Sequence, residues 1–280
     1  MKKAGWVLFF WLVLAAPARA AGLEVGPIAP PPSHRPILLR VLTYNLHHGV
    51  GSDGRVNLDE MALFLRDSGA DLIGLQEVDR GFAERSGFRD QLAELAAATG
   101  LSAAFLPAVT RGGGSYGLAV LSRYPIVRKV GGLYSAGREP RGYLAVEVEM
   151  EEGVRVGFAV THLSPAPAER AAQIEELLAF LREFSGPLVL VGDFNLRPED
   201  ADFQSLTAVL RDALAAFEAG GRATFFPAPG ADGARIDFIF VSAEFRPEGG
   251  RVAEIDYSDH RPALAHLSFA REDSEAMSAG

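Results

Sequence analysis

Residues 189–195, Val189-Leu190-Val191-Gly192-Asp193-Phe194-Asn195, carry a mostly apolar run straight into an acid, an aromatic ring and an amide. The apolar half reads as a strand entering a core. On a strand, side chains at i and i+2 share a face roughly 6–7 Å apart, so Asp193 and Asn195 look into one space while Phe194 turns toward the core. In isolation such a D-x-N is also the start of a polar turn. Partners supplied elsewhere in the chain decide between the two.

Other runs of strand length lie at 38–44, 71–75, 117–121, 156–161, 187–191 and 236–241. Residues 143–150 alternate, with Leu144, Val146, Val148 and Met150 on one side and Glu147 and Glu149 on the other. Helical spacing marks 58–68, 90–99 and the set Ile174, Leu177, Leu178 and Leu181. Gly117 and Pro125 bracket a hairpin-like stretch. Strands and helices interleaved in this way predict an α/β architecture.

The polar residues collect where these strands stop. Strand 38–44 exits through Asn45, His47 and His48, and strand 71–75 delivers Gln76 and Glu77. Strand 156–161 gives His162, Asp237 opens a strand, and Asp259-His260 immediately precedes another. Each alone reads as a turn or a solvated loop end. Six elements doing the same thing argue for a site. Carboxylates and amides are hard oxygen ligands suited to Mg²⁺ or Mn²⁺, and histidines beside them handle protons or grip an anionic oxygen.

At 280 residues, 48% hydrophobic and 22% charged, the composition is that of a globular protein. Lys2 and Lys3 precede an apolar run from Trp6 to Ala16, and Ala18-Arg19-Ala20 supplies a small-x-small cleavage pattern. Residues 1–20 therefore read as a signal peptide, with an uncleaved anchor as the rival, and the expected location is periplasmic or extracellular. No transmembrane span is expected after cleavage. Cysteine is absent, which rules out disulfides, thiolate ligands and a lipidated cysteine. Without residues 1–20 the chain keeps 24 Lys and Arg against 36 Asp and Glu, a net charge of −12. Such a surface does not attract phosphate backbones in general, so stable nucleic-acid binding is not expected. Residues 21–36 read as a Pro-rich linker, 37–270 as one catalytic domain and 271–280 as a disordered polar tail. A monomer is expected.

The segments TYNLHHG, GLQEVDR, YGLAVLSRYPI, THL, VGDFNLRP, RIDFIF and SDHRP, in this order over residues 38–268, resemble the endonuclease/exonuclease/phosphatase superfamily of metal-dependent hydrolases. That group includes deoxyribonuclease I-like nucleases, inositol-polyphosphate phosphatases and sphingomyelinases. The resemblance implies a four-layer α/β sandwich, two packed mixed β-sheets flanked by helices, with the site at one edge. YNLHHG is similar to exported members, including the lipid-remodelling branch of GPI-anchor biosynthesis.

The same resemblance implies roles. Glu77 would be the main carboxylate on a divalent ion, Mg²⁺ or Mn²⁺, with Asn45 and Asp259 beside it. His260 would be the catalytic imidazole and Asp237 its orienting carboxylate. Either His260 activates water, or it holds phosphate while Asp193 does so. Asn195 would bind a non-bridging oxygen and His162 would stabilise charge on the transition state, where one preorganised donor is worth roughly 3–4 kcal/mol. Arg141, with Arg138 as competitor, would face the phosphate. Tyr116 and His48 are substrate-side candidates, His48 alternatively forming a structural turn. Leu118 departs from the asparagine many relatives carry, which weighs against a nuclease. Phe225 and Phe226 are expected to pack in the core, a substrate-facing wall being the alternative. The expected activity is hydrolysis of lipid-headgroup or other small phosphodiesters by in-line attack of water. An extracytoplasmic nuclease is the alternative, and a silent phospho-ligand-binding domain a further one.

Overall fold

Alternating apolar residues produce two long-strand pairs around which the rest assembles. The computed structural model describes residues 36–150 and 153–270. The expected signal peptide, nearly all of the linker and the tail lie outside the described residues. One sheet contains β1 (Ile37–Asn45), β2 (Leu72–Arg80), β3 (Ser102–Arg111), β4 (Gly114–Ser122), β11 (Phe245–Val252) and β12 (Ala263–Phe269), in the order β11-β12-β1-β2-β4-β3. The other contains β5 (Ile126–Leu133), β6 (Gly142–Glu149), β7 (Arg155–His162), β8 (Leu188–Asp193), β9 (Arg211–Asp212) and β10 (Asp237–Val241), in the order β5-β6-β7-β8-β10-β9.

Each sheet is mixed, with one parallel pair near its middle, β1 beside β2 and β7 beside β8. A parallel pair needs a crossover, and a helix provides each: α1 (Leu58–Ser68) for the first and α3 (Pro167–Leu181) for the second. Gly69 ends α1 in the left-handed region at φ 62°, while Pro167 opens α3 where no amide hydrogen is needed. The outer face of the first sheet, with Leu42, Ile73 and Leu75, is covered by Leu58, Met61 and Leu65 of α1 and by Leu92 and Leu95 of α2 (Gln91–Thr99). The outer face of the second, with Ala159, Leu190 and Phe240, is covered by Ile174 and Leu177 of α3 and by Leu206 of α4 (Ala201–Thr207). The inner faces meet through Leu39, Val41, Val146, Phe158, Val160, Val189 and Val191. This is the expected four-layer α/β sandwich.

The sheets approach closely at Gly74, where a Cβ would lie 2.3 Å from Cγ2 of Val191 and 3.1 Å from Cγ2 of Val160. One reading of the chain needs correction. Gly117 does not bracket a hairpin; it lies inside β4, and the hairpin turn is Gly112–Gly113, between β3 and β4. Beyond Pro125 the chain leaves for the other sheet as β5. The strands with no clear sequence signal, β3, β5, β9 and β11, are the four edge strands. An edge strand packs on fewer neighbours, so its apolar alternation is weak. No helix among the described residues is long and apolar enough to cross a membrane.

Candidate active site

The inward row of each central strand ends in a polar group at the same edge of the sandwich. On β1 the row Leu39, Val41, Thr43 ends in Asn45, and on β8 Val189 and Val191 lead to Asp193. On β7 Phe158 and Val160 lead to His162, while β10 begins at Asp237 and runs back through Ile239. Register then makes neighbours of residues far apart in the chain: Asp193 pairs with His162 across β7–β8 and with Asp237 across β8–β10. The site is thus the polar end of the inter-sheet core, at the carboxyl ends of both parallel pairs.

Glu77 reaches it by breaking the alternation. Strict period two would send it outward with Ile73 and Leu75. The β2–β4 register shifts between Leu75 and Val78, and Glu77 takes φ 60°. A bulge of this kind re-aims a side chain. Asn195 arrives by a similar route. The strand stops at Asp193, and Asn195 sits at φ 49°, its amide hydrogen donated to Oδ1 of Asp193 at 3.0 Å. The buried Arg170 holds that turn by donating from Nη1 to the Asn195 carbonyl at 2.6 Å. Asp193 and Asn195 do face one space, but a left-handed turn brings them there and not a continued strand. Phe194 is fully buried among Phe238 and Phe240, as expected.

His260 Nδ1 lies 2.9 Å from Oδ2 of Asp237, and its Nε2 lies 3.6 Å from Oδ2 of Asp193. His162 Nε2 is 3.2 Å from the same Asp193 oxygen. Asn45 Nδ2 donates to Asp193 Oδ2 at 3.0 Å and to Glu77 Oε1 at 3.3 Å. His48 Nδ1 stands 3.8 Å from Glu77, and His47 Nδ1 stands 3.6 Å from Asp259. Arg141 lays its guanidinium against the His162 ring and is tied back by Glu139 at 2.8 Å. Arg138 is exposed and does not line the cleft, whereas Arg141 does. All the predicted site residues but Asn45 and Asp237 line one cleft of about 480 Å³, and those two lie directly behind it.

Electrostatics separates the acids. Burial opposes charge on Asp193, but the imidazoles of His162 and His260 and the hydrogen bonds from His162 and Asn45 outweigh it and hold its pKa at about 2. Burial likewise opposes charge on Glu77, yet His48, His162, Arg141 and Asn45 keep it well below the usual carboxylate range. Burial pushes Asp237 up. Burial resists protonation of His260, but Asp237 and Asp193 prevail and raise it to about 10.

Sequence reading missed Ser258. Its hydroxyl donates to the Asn45 carbonyl at 2.9 Å and accepts the amide of His260 at 3.1 Å, tying the loop to the end of β1. A small hydroxyl just before an Asp-His pair was the available signal. The core placement expected for Phe225 and Phe226 is overturned. Phe225 packs on the His260 ring at 4.8 Å and lines the cleft, while Phe226 carries the Arg261 guanidinium at 4.4 Å.

The residues fit a divalent cation. Among the described residues, ligand atoms of Asp193, Asp237 and His260 all lie within 4.8 Å of one another. In that group His260 Nδ1 and one Asp237 oxygen are already engaged with each other at 2.9 Å. Glu77, ionised and flanked by Asn45 with Asp259 in the same cleft, is the better oxygen donor set for a hard ion.

The sequence model of the Endonuclease/Exonuclease/phosphatase family matches residues 42–260. Comparison with curated proteins gives no match. Among solved structures, an endonuclease/exonuclease/phosphatase from Beutenbergia cavernae is 25% identical at a TM-score of 0.69, covering 83% of this chain and 72% of that one. A family protein from Bacteroides thetaiotaomicron is 22% identical at a TM-score of 0.71, covering 85% of this chain and 100% of that one. A mannosyl-6-phosphatase from the same organism is 22% identical at 0.67, covering 82% and 100%. The chain belongs to the endonuclease/exonuclease/phosphatase family of metal-dependent phosphoester hydrolases.

Proposed function

We propose that the protein is an exported phosphodiesterase that cleaves lipid-headgroup or other small phosphodiesters by in-line attack of water. The observation that carries this reading is His260, held between Asp237 at 2.9 Å and the ionised Asp193 at 3.6 Å in an open cleft. A divalent ion, Mg²⁺ or Mn²⁺, held by Glu77 with Asn45 and Asp259 beside it, would supply positive charge against the phosphate oxygens.

The protein's own groups divide the remaining work. With its Nδ1 proton committed to Asp237, His260 presents an Nε2 proton that can bind a phosphate oxygen. Asp193, ionised and free of that task, is placed to take a proton from water, so of the two assignments the geometry favours Asp193 as the base. The Asn195 amide, 3.3 Å from His162 Nε2, and His162 itself donate to non-bridging oxygens as charge builds there. No Ser or Cys nucleophile takes part, so no covalent intermediate is needed. Export rests on Lys2, Lys3, the Trp6–Ala16 run and the Ala18-Arg19-Ala20 pattern. On this reading the enzyme works in the periplasm or outside the cell.

The test is hydrolysis of bis-p-nitrophenyl phosphate by the purified protein with Mg²⁺ or Mn²⁺. Equal rates in EDTA or in His260→Ala overturn the assignment. Plasmid DNA, choline- and inositol-headgroup lipids and p-nitrophenyl phosphate, assayed side by side, separate a lipid or small diester substrate from nucleic acid and from monoesters.

A further inference from the structure

One wall of the cleft is built from charge that the reaction above leaves unused. It comes from the loop after β2, which turns at Gly81 and passes through a short 3₁₀ turn at Glu84–Ser86. Arg85, at the centre of that turn, lines the cleft. Its Nε and Nη2 donate to Asp79 at 3.2 and 3.0 Å, and Asp79 is fully buried two residues beyond Glu77. Ser86 adds a third donor to the same carboxylate at 2.7 Å. This is an expensive way to hold one surface arginine, since a buried carboxylate must be fully compensated. It fixes the guanidinium side-on and leaves Nη1 without a protein partner among the described residues.

Aromatic rings brace the same wall. Phe82 and Tyr116 stand 5.9 Å apart, and the Arg85 guanidinium lies 5.3 Å from the Tyr116 ring and 5.7 Å from Phe82. Arg111, exposed and in no ion pair among the described residues, lies on Phe82 at 4.6 Å. Guanidinium groups thus lie against both rings. The acid lining this side, Glu139, is already bound to Arg141. This wall thus carries two guanidinium groups, Arg85 and Arg111, in a chain of net charge −9.

We infer that Arg85, with Arg111 beside it, forms a second anion subsite, and that the preferred substrates carry a second phosphate in addition to the scissile phosphodiester. The guanidinium of Arg85, fixed by Asp79, and that of Arg111 on the same Phe82 ring match the oxygens of a phosphate better than a neutral headgroup. The inference rests on the phosphodiesterase reading above and narrows it to doubly anionic esters.

The experiment compares thymidine 5′-(4-nitrophenyl phosphate) with its 3′-phosphorylated form, which differs by one phosphate away from the scissile bond. The expected kcat/KM is about tenfold higher for the 3′-phosphorylated ester, the size of one charge-assisted contact. That ratio falls toward one in Arg85→Met. Arg111→Gln, which leaves no buried acid unpaired, lowers it as well without endangering the fold. Binding is read separately by calorimetry on metal-free protein. Thymidine 3′,5′-bisphosphate binds about tenfold more tightly than thymidine 5′-monophosphate, and the advantage shrinks in Arg111→Gln. Failure to hydrolyse either ester overturns the phosphodiesterase reading and leaves the calorimetry to decide the subsite. Equal affinities, or a preference that survives both substitutions, overturn the subsite.

Discussion

His260 and Asp237 meet at 2.9 Å, Nδ1 to Oδ2, both buried, although 23 residues and a change of sheet separate them. Burial works against a charged imidazole, but the Asp237 and Asp193 carboxylates raise His260 to about 10. In metal-free protein the His260 ring, followed by NMR, is expected to titrate far above the ordinary value of about 6.5, and Asp237→Asn to bring it down. The folded value lies above the unfolded one, so the stabilisation is complete below about pH 6.5 and is lost as pH rises through about 10. Urea unfolding at pH 6 and pH 10 checks this. The wild type should lose more stability across that interval than Asp237→Asn.

Glu77 carries the metal prediction. Mn²⁺ at about a hundredfold its dissociation constant should stabilise the wild type by about 2.7 kcal/mol, seen as a rise in Tm. Glu77→Gln keeps the shape but removes the charge, and the rise should largely disappear. A full rise in that variant places the ion elsewhere, with the Asp193–Asp237–His260 group as the next candidate.

Ser258 bonds to the Asn45 carbonyl and to the His260 amide, joining two arms of the site. Ser258→Ala should lower stability by about 1–3 kcal/mol, because a buried acceptor loses its donor. A misplaced imidazole should show as a kcat loss of about tenfold or more with little change in KM. Unaltered kcat would confine Ser258 to a folding role.

Gly74→Val tests how tightly the sheets must close. Its Cβ would fall 2.3 Å from Val191, two residues before Asp193 on the same strand. Overpacking of this kind costs about 1–3 kcal/mol or more, measured by denaturant midpoint. The shift in β8 should reduce activity as well, although Gly74 touches no substrate.

Apolar alternation and the polar residues ending each run were enough to read the α/β class and the central strands, and to name Asn45, Glu77, His162, Asp193, Asp237, Asp259 and His260, which the structure brings to one edge. These features are local, since a strand and its exit are written in a few consecutive residues. The edge strands were not legible, because little of their surface is buried and little pattern is required of them. Glu77 could be named from its motif, but period two alone points it to the wrong face, and only the bulge and its φ of 60° turn it inward. Asn195 likewise depends on a left-handed turn held by Arg170, a residue of α3. Phe225 reads as core by composition and becomes cleft lining because His260 folds beneath it. The sequence by itself determined which groups are available and which way each strand faces. Tertiary structure decided which of them touch, through the pairing register of two sheets that sets Asp193 between His162 and Asp237. That register depends on the whole inter-sheet core closing at once, and no short segment carries it.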